Sequence, residues 1–254
     1  MFMIDTTNYR PDKNILKGRV ILVTGAGQGI GRAAALEYAA HGATVILHGR
    51  KVDKLESVYD EIESEGGAQA AIIPFDLEKT EGKDFEVIAQ AIKSQLGRLD
   101  GILHNASFIP SLTPLESHTF DQWLILLRVN LVAPISLTRA CLPLLKASTD
   151  ACVIMTSDTH GHYPAAYWGG FAVAKAGVEA LVKIQAQEWE MHTNLRINAL
   201  IPGVVHTSQR TKTHPGEVKK NLVAPKDLMS TYLYLMGPAS KGVTGKTIFC
   251  QKHE

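Results

Sequence analysis

Cysteine is scarce in this chain. Three residues, Cys141, Cys152 and Cys250, are spread over 254 positions. No two have metal-ligand spacing, and nothing suggests a disulfide framework, so free thiols in a reducing compartment are expected. An excess of charge of either sign is also missing. Lys plus Arg number 26 and Asp plus Glu 25, a balance that gives nucleic acid or a charged membrane surface no electrostatic purchase. The opening residues lack the basic-then-apolar order of a secretory signal, and no run of 18 or more apolar residues marks a membrane span. Linkers, repeats and low-complexity tracts are absent too. The expectation is one cytoplasmic domain over 1–254, with a short N-terminal extension over 1–17 and neither nucleic acid nor membrane as a partner.

What the chain does contain is an alternation of two periodicities. Short β-branched or fully apolar runs, "RVILVTG", "ATVILHGR", "AQAAIIPFD", "LDGILHNAS", "ACVIMTSD", "LRINALIPG" and "GKTIFCQ", read as strands. Between the first of them lie helical segments. "IGRAAALEYAAHG" is Ala-rich and stops at Gly42. "KVDKLESVYDEIESEGG" places Leu55, Val58, Tyr59 and Ile62 on one face. "TEGKDFEVIAQAIKSQLG" follows the third strand. Long helices are predicted over Phe120–Lys146 and Trp168–Met191. Apolar strands alternating with helices imply an α/β fold, a doubly wound parallel sheet of Rossmann type covered by helices on both faces.

The strongest local signal is "TGAGQGIG", Thr24 to Gly31, which closes the first strand and opens the first helix. Gly25, Gly29 and Gly31 permit a tight turn, close backbone approach to a pyrophosphate and close packing of helix on sheet. Gln28 and Ile30 lie in the same turn, whose N–H groups and helix dipole favour an anion.

This spacing resembles that of the short-chain dehydrogenases/reductases, and the resemblance runs through nearly the whole chain. It implies that Asp76, with Leu77, meets the adenine ring. It implies that Asn105 belongs to a cofactor-facing turn, although His104 and Ser107 depart from the usual pattern. Asn130 matches the family's active-site Asn and Lys175 its active-site Lys. Pro202, Gly203 and Thr207 match a segment beside the nicotinamide, and about 204–224 matches a substrate lid. A small-molecule carbonyl or alcohol substrate and a homodimer or homotetramer are implied as well. The surplus of apolar residues on the two long helices, among them Leu124, Leu127, Leu131, Leu181, Val182 and Ile184, agrees with an interface.

Charge argues for the form of the cofactor. A carboxylate at the end of the second strand would accept from the 2′-OH of NAD and repel a 2′-phosphate. Here His48 and Gly49 stand in its place and Arg50 follows, with Lys51 beside it. A guanidinium suits a phosphate, so NADP(H) is expected in preference to NAD, unless Arg50 only opens a surface helix.

In "WGGFAVAKAG", Lys175 lies four residues after Phe171, on one helical face. The resemblance places the family's proton-donating Tyr at Phe171 and its Ser, thirteen residues earlier, at Asp158. Ser157 would point the other way along a strand. The catalytic positions are therefore Asn130, Asp158, Phe171 and Lys175, two of them altered. An ionised Asp158 would oppose alkoxide charge; a protonated one could donate; or Asp158 could pair with Lys175. Tyr163, Tyr167, His160 and His162 are further candidate acids. Pro134 has no N–H, which frees the Asn130 carbonyl to hold a water, or merely kinks the helix; the resemblance implies a proton relay through such a water to Lys175. Arg210, Lys212, Lys219 and Lys220 hint at an anionic substrate, or at a solvated loop. Three functions stay open: an NADP(H)-dependent oxidoreductase with a modified acid, an NADP(H)-binding protein without turnover, and non-redox acid/base chemistry through Asp158.

Overall fold

A computed structural model describes residues 2–6 and 9–252. Eight parallel strands form one sheet in the order β1-β8-β7-β6-β5-β2-β3-β4. They are β1 (Phe2–Met3), β2 (Val20–Thr24), β3 (Thr44–Gly49), β4 (Ala71–Pro74), β5 (Gly101–His104), β6 (Ala151–Thr156), β7 (Leu195–Ile201) and β8 (Thr247–Phe249). Seven match the runs read from sequence. The two-residue β1 was not expected; it adds the N-terminal segment beside β8.

The period-two alternation of buried strands divides the core in two. Ile21 and Val23 face one layer with Val45, Leu47 and Ile154. Leu22 faces the other with Ile46, Ile102 and Val153. On the first layer pack α1 (Gly29–Ala40), α2 (Val52–Ser64) and α9 (Met229–Met236). Ala34, Ala35 and Ala39 let α1 lie close to the strands. On the second layer pack α3 (Gly82–Leu96), α5 (Ala133–Ala147) and α7 (Gly169–Glu188). Smaller helices are α4 (Phe120–Leu127), α6 (Thr159–His162) and α8 (Ser208–Thr213).

The helix predicted over Phe120–Lys146 is continuous but not uniform. A π turn over Arg128–Val132 joins α4 to α5, with the Ala133 N–H bonded to the Arg128 carbonyl. By length and mean hydropathy Phe120–Ala147 passes for a membrane span, although it holds no unbroken run of 18 apolar residues. Its inner face, Leu126 through Leu145, is instead buried on the sheet layer and the adjoining aromatic cluster. Val182 was assigned to surplus apolar surface but lies in the core, whereas Leu124 and Ile184 are exposed and Leu127, Leu131 and Leu181 half-buried.

Strand order reverses between β2 and β5. Chain crossing to opposite faces on either side of that point leaves a crevice at the carboxyl ends of the strands. The turn after β2, the end of β3, the turn after β5 and the end of β6 all open there.

Candidate active site

One cleft of about 570 Å³ runs along this edge, from the ends of β3 and β4 across the Gly-rich turn to β6 and α7. Gly25, Gln28, Gly29, Ile30, Arg50, Asp76, Leu77, Asn105, Asp158, Phe171, Lys175, Pro202, Gly203 and Thr207 all line it. Thr24, Gly31 and Asn130 do not; they act one layer behind the wall.

The turn is built by those hidden residues. Thr24 Oγ1 accepts from the backbone N–H groups of Asn105 and Ala106, both at 3.0 Å, which ties the turns after β2 and β5 together. Gly25 has φ +69° and Gly29 φ +58°, a region that disfavours side chains. A Cβ on Gly31 would run into the Gly25 carbonyl and the Asn105 side-chain amide. Gln28 caps α1 by position, and its Oε1 accepts from Lys54 Nζ at 2.5 Å. The cradle therefore has the form a diphosphate needs: close backbone, a helix N-terminus and a nearby cation.

At the far end, Arg50 is 60% exposed by side chain and faces Glu78 at 4.0 Å. That contact is long and solvated, so the guanidinium remains available to an anion. Gly49 ends β3 under Leu55, leaving no carboxylate there. His48 is buried beside Phe75, with ring centroids 5.6 Å apart, and neither ring nitrogen has a partner among the described residues. Burial pushes its pKa down to about 4, so it is a neutral polar group in the cleft wall. Asp76 is held by its own turn, accepting from the Glu78 N–H at 3.2 Å and, through its carbonyl, from Thr80.

The other end holds the altered residues. Asp158 follows β6 and caps α6, and its Oδ1 accepts from both the N–H and Nδ1 of His160, at 2.9 and 3.0 Å. The ring of His160 stacks on Trp168 at 3.7 Å and 11°. Burial raises the Asp158 pKa, but the bonds from His160 and the charge of Lys175 outweigh it, and the net shift is downward. The protonated, donating Asp158 considered from sequence is thus not what this setting favours; the group is a carboxylate.

Lys175 is 3% exposed. Its Nζ donates to the Thr156 carbonyl at 2.8 Å and lies 5.6 Å from the Phe171 ring centroid. It makes no ion pair with Asp158 within 4.0 Å among the described residues, which corrects the other sequence alternative. Burial lowers its pKa to about 8 although Asp158 opposes the shift.

Phe171, 2% exposed, packs with Ile109, Leu126, Trp168 and Ala172. Ser157 borders the cleft, but its hydroxyl turns the other way along the chain from Asp158 and donates to Glu179 at 2.9 Å. His162 Nδ1 bonds the same carboxylate at 2.6 Å. Tyr163 packs against Phe249 and His162, and Tyr167, with φ +73°, is exposed. None of His160, His162, Tyr163 and Tyr167 lines the cleft. The substitute acids suggested by sequence are therefore not brought to the reaction space, and His160 acts on Asp158 instead.

Asn130 is a staple. Its Nδ2 donates to the carbonyls of Phe108 and Leu126, and its Oδ1 accepts from Ser107 Oγ and the Phe108 N–H. His104, bonded to Thr138 at 2.8 Å, lines the small space between Asn130, Pro134 and Lys175 in which the relay water expected from sequence would sit.

Thr207 caps α8 by accepting from the Arg210 N–H, and its methyl faces Gly29. Arg210 is held by Glu217 in two bonds of 2.7 Å, so its charge is already matched. Gln251 pins the turn at Pro202–Gly203 by donating to the Pro202 and Val204 carbonyls. Sequence reasoning did not single out Lys54, Phe108, Trp168 or Gln251 for this cleft. Lys54 faces the Gly-rich turn from α2, a helix whose apolar periodicity drew attention to its other face.

The short chain dehydrogenase family model matches residues 19–217. The uncharacterized oxidoreductase YciK of Escherichia coli K12 is 38% identical over 244 residues, 96% of each chain. A solved short chain dehydrogenase from Pseudomonas syringae superposes with TM-score 0.94 at 44% identity, covering 98% of this chain and 100% of that one. Another, from Escherichia coli CFT073 and complexed with NADPH, gives TM-score 0.92 at 38% identity, covering 95% and 100%.

Proposed function

Since the chain belongs to the short chain dehydrogenase family, we propose that it is an NADP(H)-dependent oxidoreductase acting on a small-molecule substrate with a modified reaction centre. The observation that carries this reading is the single cleft joining the Gly-rich cradle to Asp158, Phe171 and Lys175. The NADPH complex of the E. coli CFT073 relative supports the choice of cofactor, and Arg50 in place of a carboxylate supports it independently. In this reading the turn over Gly25–Ile30 holds the diphosphate, Arg50 the 2′-phosphate, and Asp76 and Leu77 the adenine. Asn105, Pro202, Gly203 and Thr207 border the nicotinamide. Bound there, the cofactor supplies a hydride.

The chain's own residues then set what can accept it. Lys175 brings a buried cation to the inner wall. Phe171 and Trp168 exclude water. Asp158 presents a fixed negative charge where an alkoxide would develop, and Phe171 has no proton to give. Reduction of an ordinary carbonyl is therefore weak, or confined to an unusual substrate. The segment 204–224 serves as a lid, with α8 over the Gly-rich turn.

Phe171 also favours a second reading, an NADP(H)-binding protein without turnover. NADPH binding followed by calorimetry, together with NADPH oxidation over a substrate panel, separates the two. Tight binding with oxidation supports the enzyme, tight binding without it the binder. Absence of binding contradicts both.

A further inference from the structure

The reaction end of the cleft combines three features that do not suit a carbonyl. A carboxylate lines the cleft with its side chain 31% exposed. Its Oδ1 is held twice by His160, and its Oδ2 has no hydrogen-bond partner among the described residues. Trp168 and Phe171, 5.8 Å apart between centroids, line the same cleft with Phe108, which packs on their cluster; His160 stacks on Trp168 and Lys175 Nζ lies over the Phe171 ring. The wall also lacks a hydroxyl at position 171.

From this juxtaposition we infer that the hydride acceptor is an organic cation, an iminium carbon–nitrogen double bond, recognised by Asp158 Oδ2 and the Trp168–Phe171 wall. The inference rests on the NADP(H) reading above and names its substrate class. The chemistry balances without the missing donor. Hydride from a dihydronicotinamide forms a C–H bond at the iminium carbon, and the C=N π pair moves onto nitrogen. The product is a neutral amine, the spent reductant is the nicotinamide cation, and no proton is transferred in that step. One positive charge enters the pocket with the substrate and ends on the nicotinamide. Asp158 thus faces a cation from the bound state to the product, which a carbonyl and its alkoxide would not provide.

Other charged or titratable groups near Asp158 are Lys175, His160 and His214. Lys175 donates to the neutral Thr156 carbonyl and keeps its charge below about pH 8, so it opposes a bound cation there and cation binding should strengthen above that pH. His160 donates to Asp158. His214, from the lid, has its pKa lowered by partial burial first and then by Arg210, so it adds little positive charge at neutral pH.

The test uses the full chain and two probes of like shape: the permanently charged N-methyl dihydroisoquinolinium ion and neutral α-tetralone. Calorimetry on the protein saturated with 1,4,5,6-tetrahydro-NADP, whose ring is neutral and gives up no hydride, should show the cation binding at least about tenfold tighter than the ketone. Asp158→Asn, which keeps a good helix cap, should lower cation affinity by about tenfold or more and leave NADPH affinity within about twofold; Asp158→Ser should do the same. NADPH oxidation should follow the same order, faster with the cation than with the ketone. Equal or weaker binding of the cation, or a cation affinity indifferent to Asp158→Asn, would overturn the inference while leaving the cofactor reading standing. Failure to bind NADPH would overturn both.

Discussion

Asp158 and Phe171 decide what this site can do. General acid catalysis typically contributes ~10²–10⁴-fold, and a phenyl ring cannot supply it. Restoring both groups, as Phe171→Tyr with Asp158→Ser, should raise NADPH-dependent reduction of a small generic carbonyl by at least about tenfold. Each single change should do less, because both act on one developing oxyanion. If wild type reduces such carbonyls rapidly and the double change slows it, these residues belong to a different mechanism. Lys175 provides a second test, by pH. Its pKa falls from an ordinary 10.5 to about 8 in the folded protein. Between those values the unfolded chain binds the proton and the folded one does not, so this residue's contribution to stability rises with pH. The stability of wild type minus that of Lys175→Met should therefore climb by about 3 kcal/mol from pH 8 to 10.5. Urea unfolding of both proteins across that range measures it, and a flat difference would mean that Lys175 is not desolvated as described.

At the scale of elements, the turn between β2 and α1 and the π turn carry the site. Gly31→Ala forces a methyl into the Gly25 carbonyl and Asn105. The expected cost is about 1–3 kcal/mol of stability, together with weaker NADPH binding, read by unfolding and calorimetry. A variant with unchanged stability and affinity would show that the cradle is looser than its geometry. Much of this was legible in the sequence. Fully buried strands give themselves away as unbroken apolar runs, and "TGAGQGIG" stands where a strand becomes a helix. The π turn was hidden, because Pro134 signals a disturbed helix but not how the chain widens to absorb it. The helix α9 was missed because MSTYLYLM is buried on nearly every side and shows no polar face. The direction of Asp158 also could not be read. Its bonds to His160 depend on α6, a single turn with no periodicity to detect. Counting along the chain did give the facing of Ser157 correctly, since strand alternation is local.

At the scale of the whole molecule, two faces invite measurement. On α4, the π turn and α7, Phe120, Leu124, Val132 and Ile184 are exposed. Apolar surface of this kind supports a two-fold assembly; light scattering at micromolar concentration should give at least a dimer, and a monomeric mass would reject it. At the opposite end of the sheet edge from Asp158, Arg50→Asp should weaken NADPH by at least about tenfold relative to NADH, and an unchanged ratio would show that Arg50 does not read the 2′-phosphate. The claim that joins both ends of the cleft is that a hydride crosses it. NADPH deuterated at the nicotinamide C4, incubated with the protein and a panel of carbonyl and iminium compounds, tests that directly. Mass spectrometry should find deuterium carried into at least one reduced product, from one of the two C4 diastereomers only. Tight cofactor binding with no deuterium in any product would contradict the account and leave a protein that holds NADPH without using it.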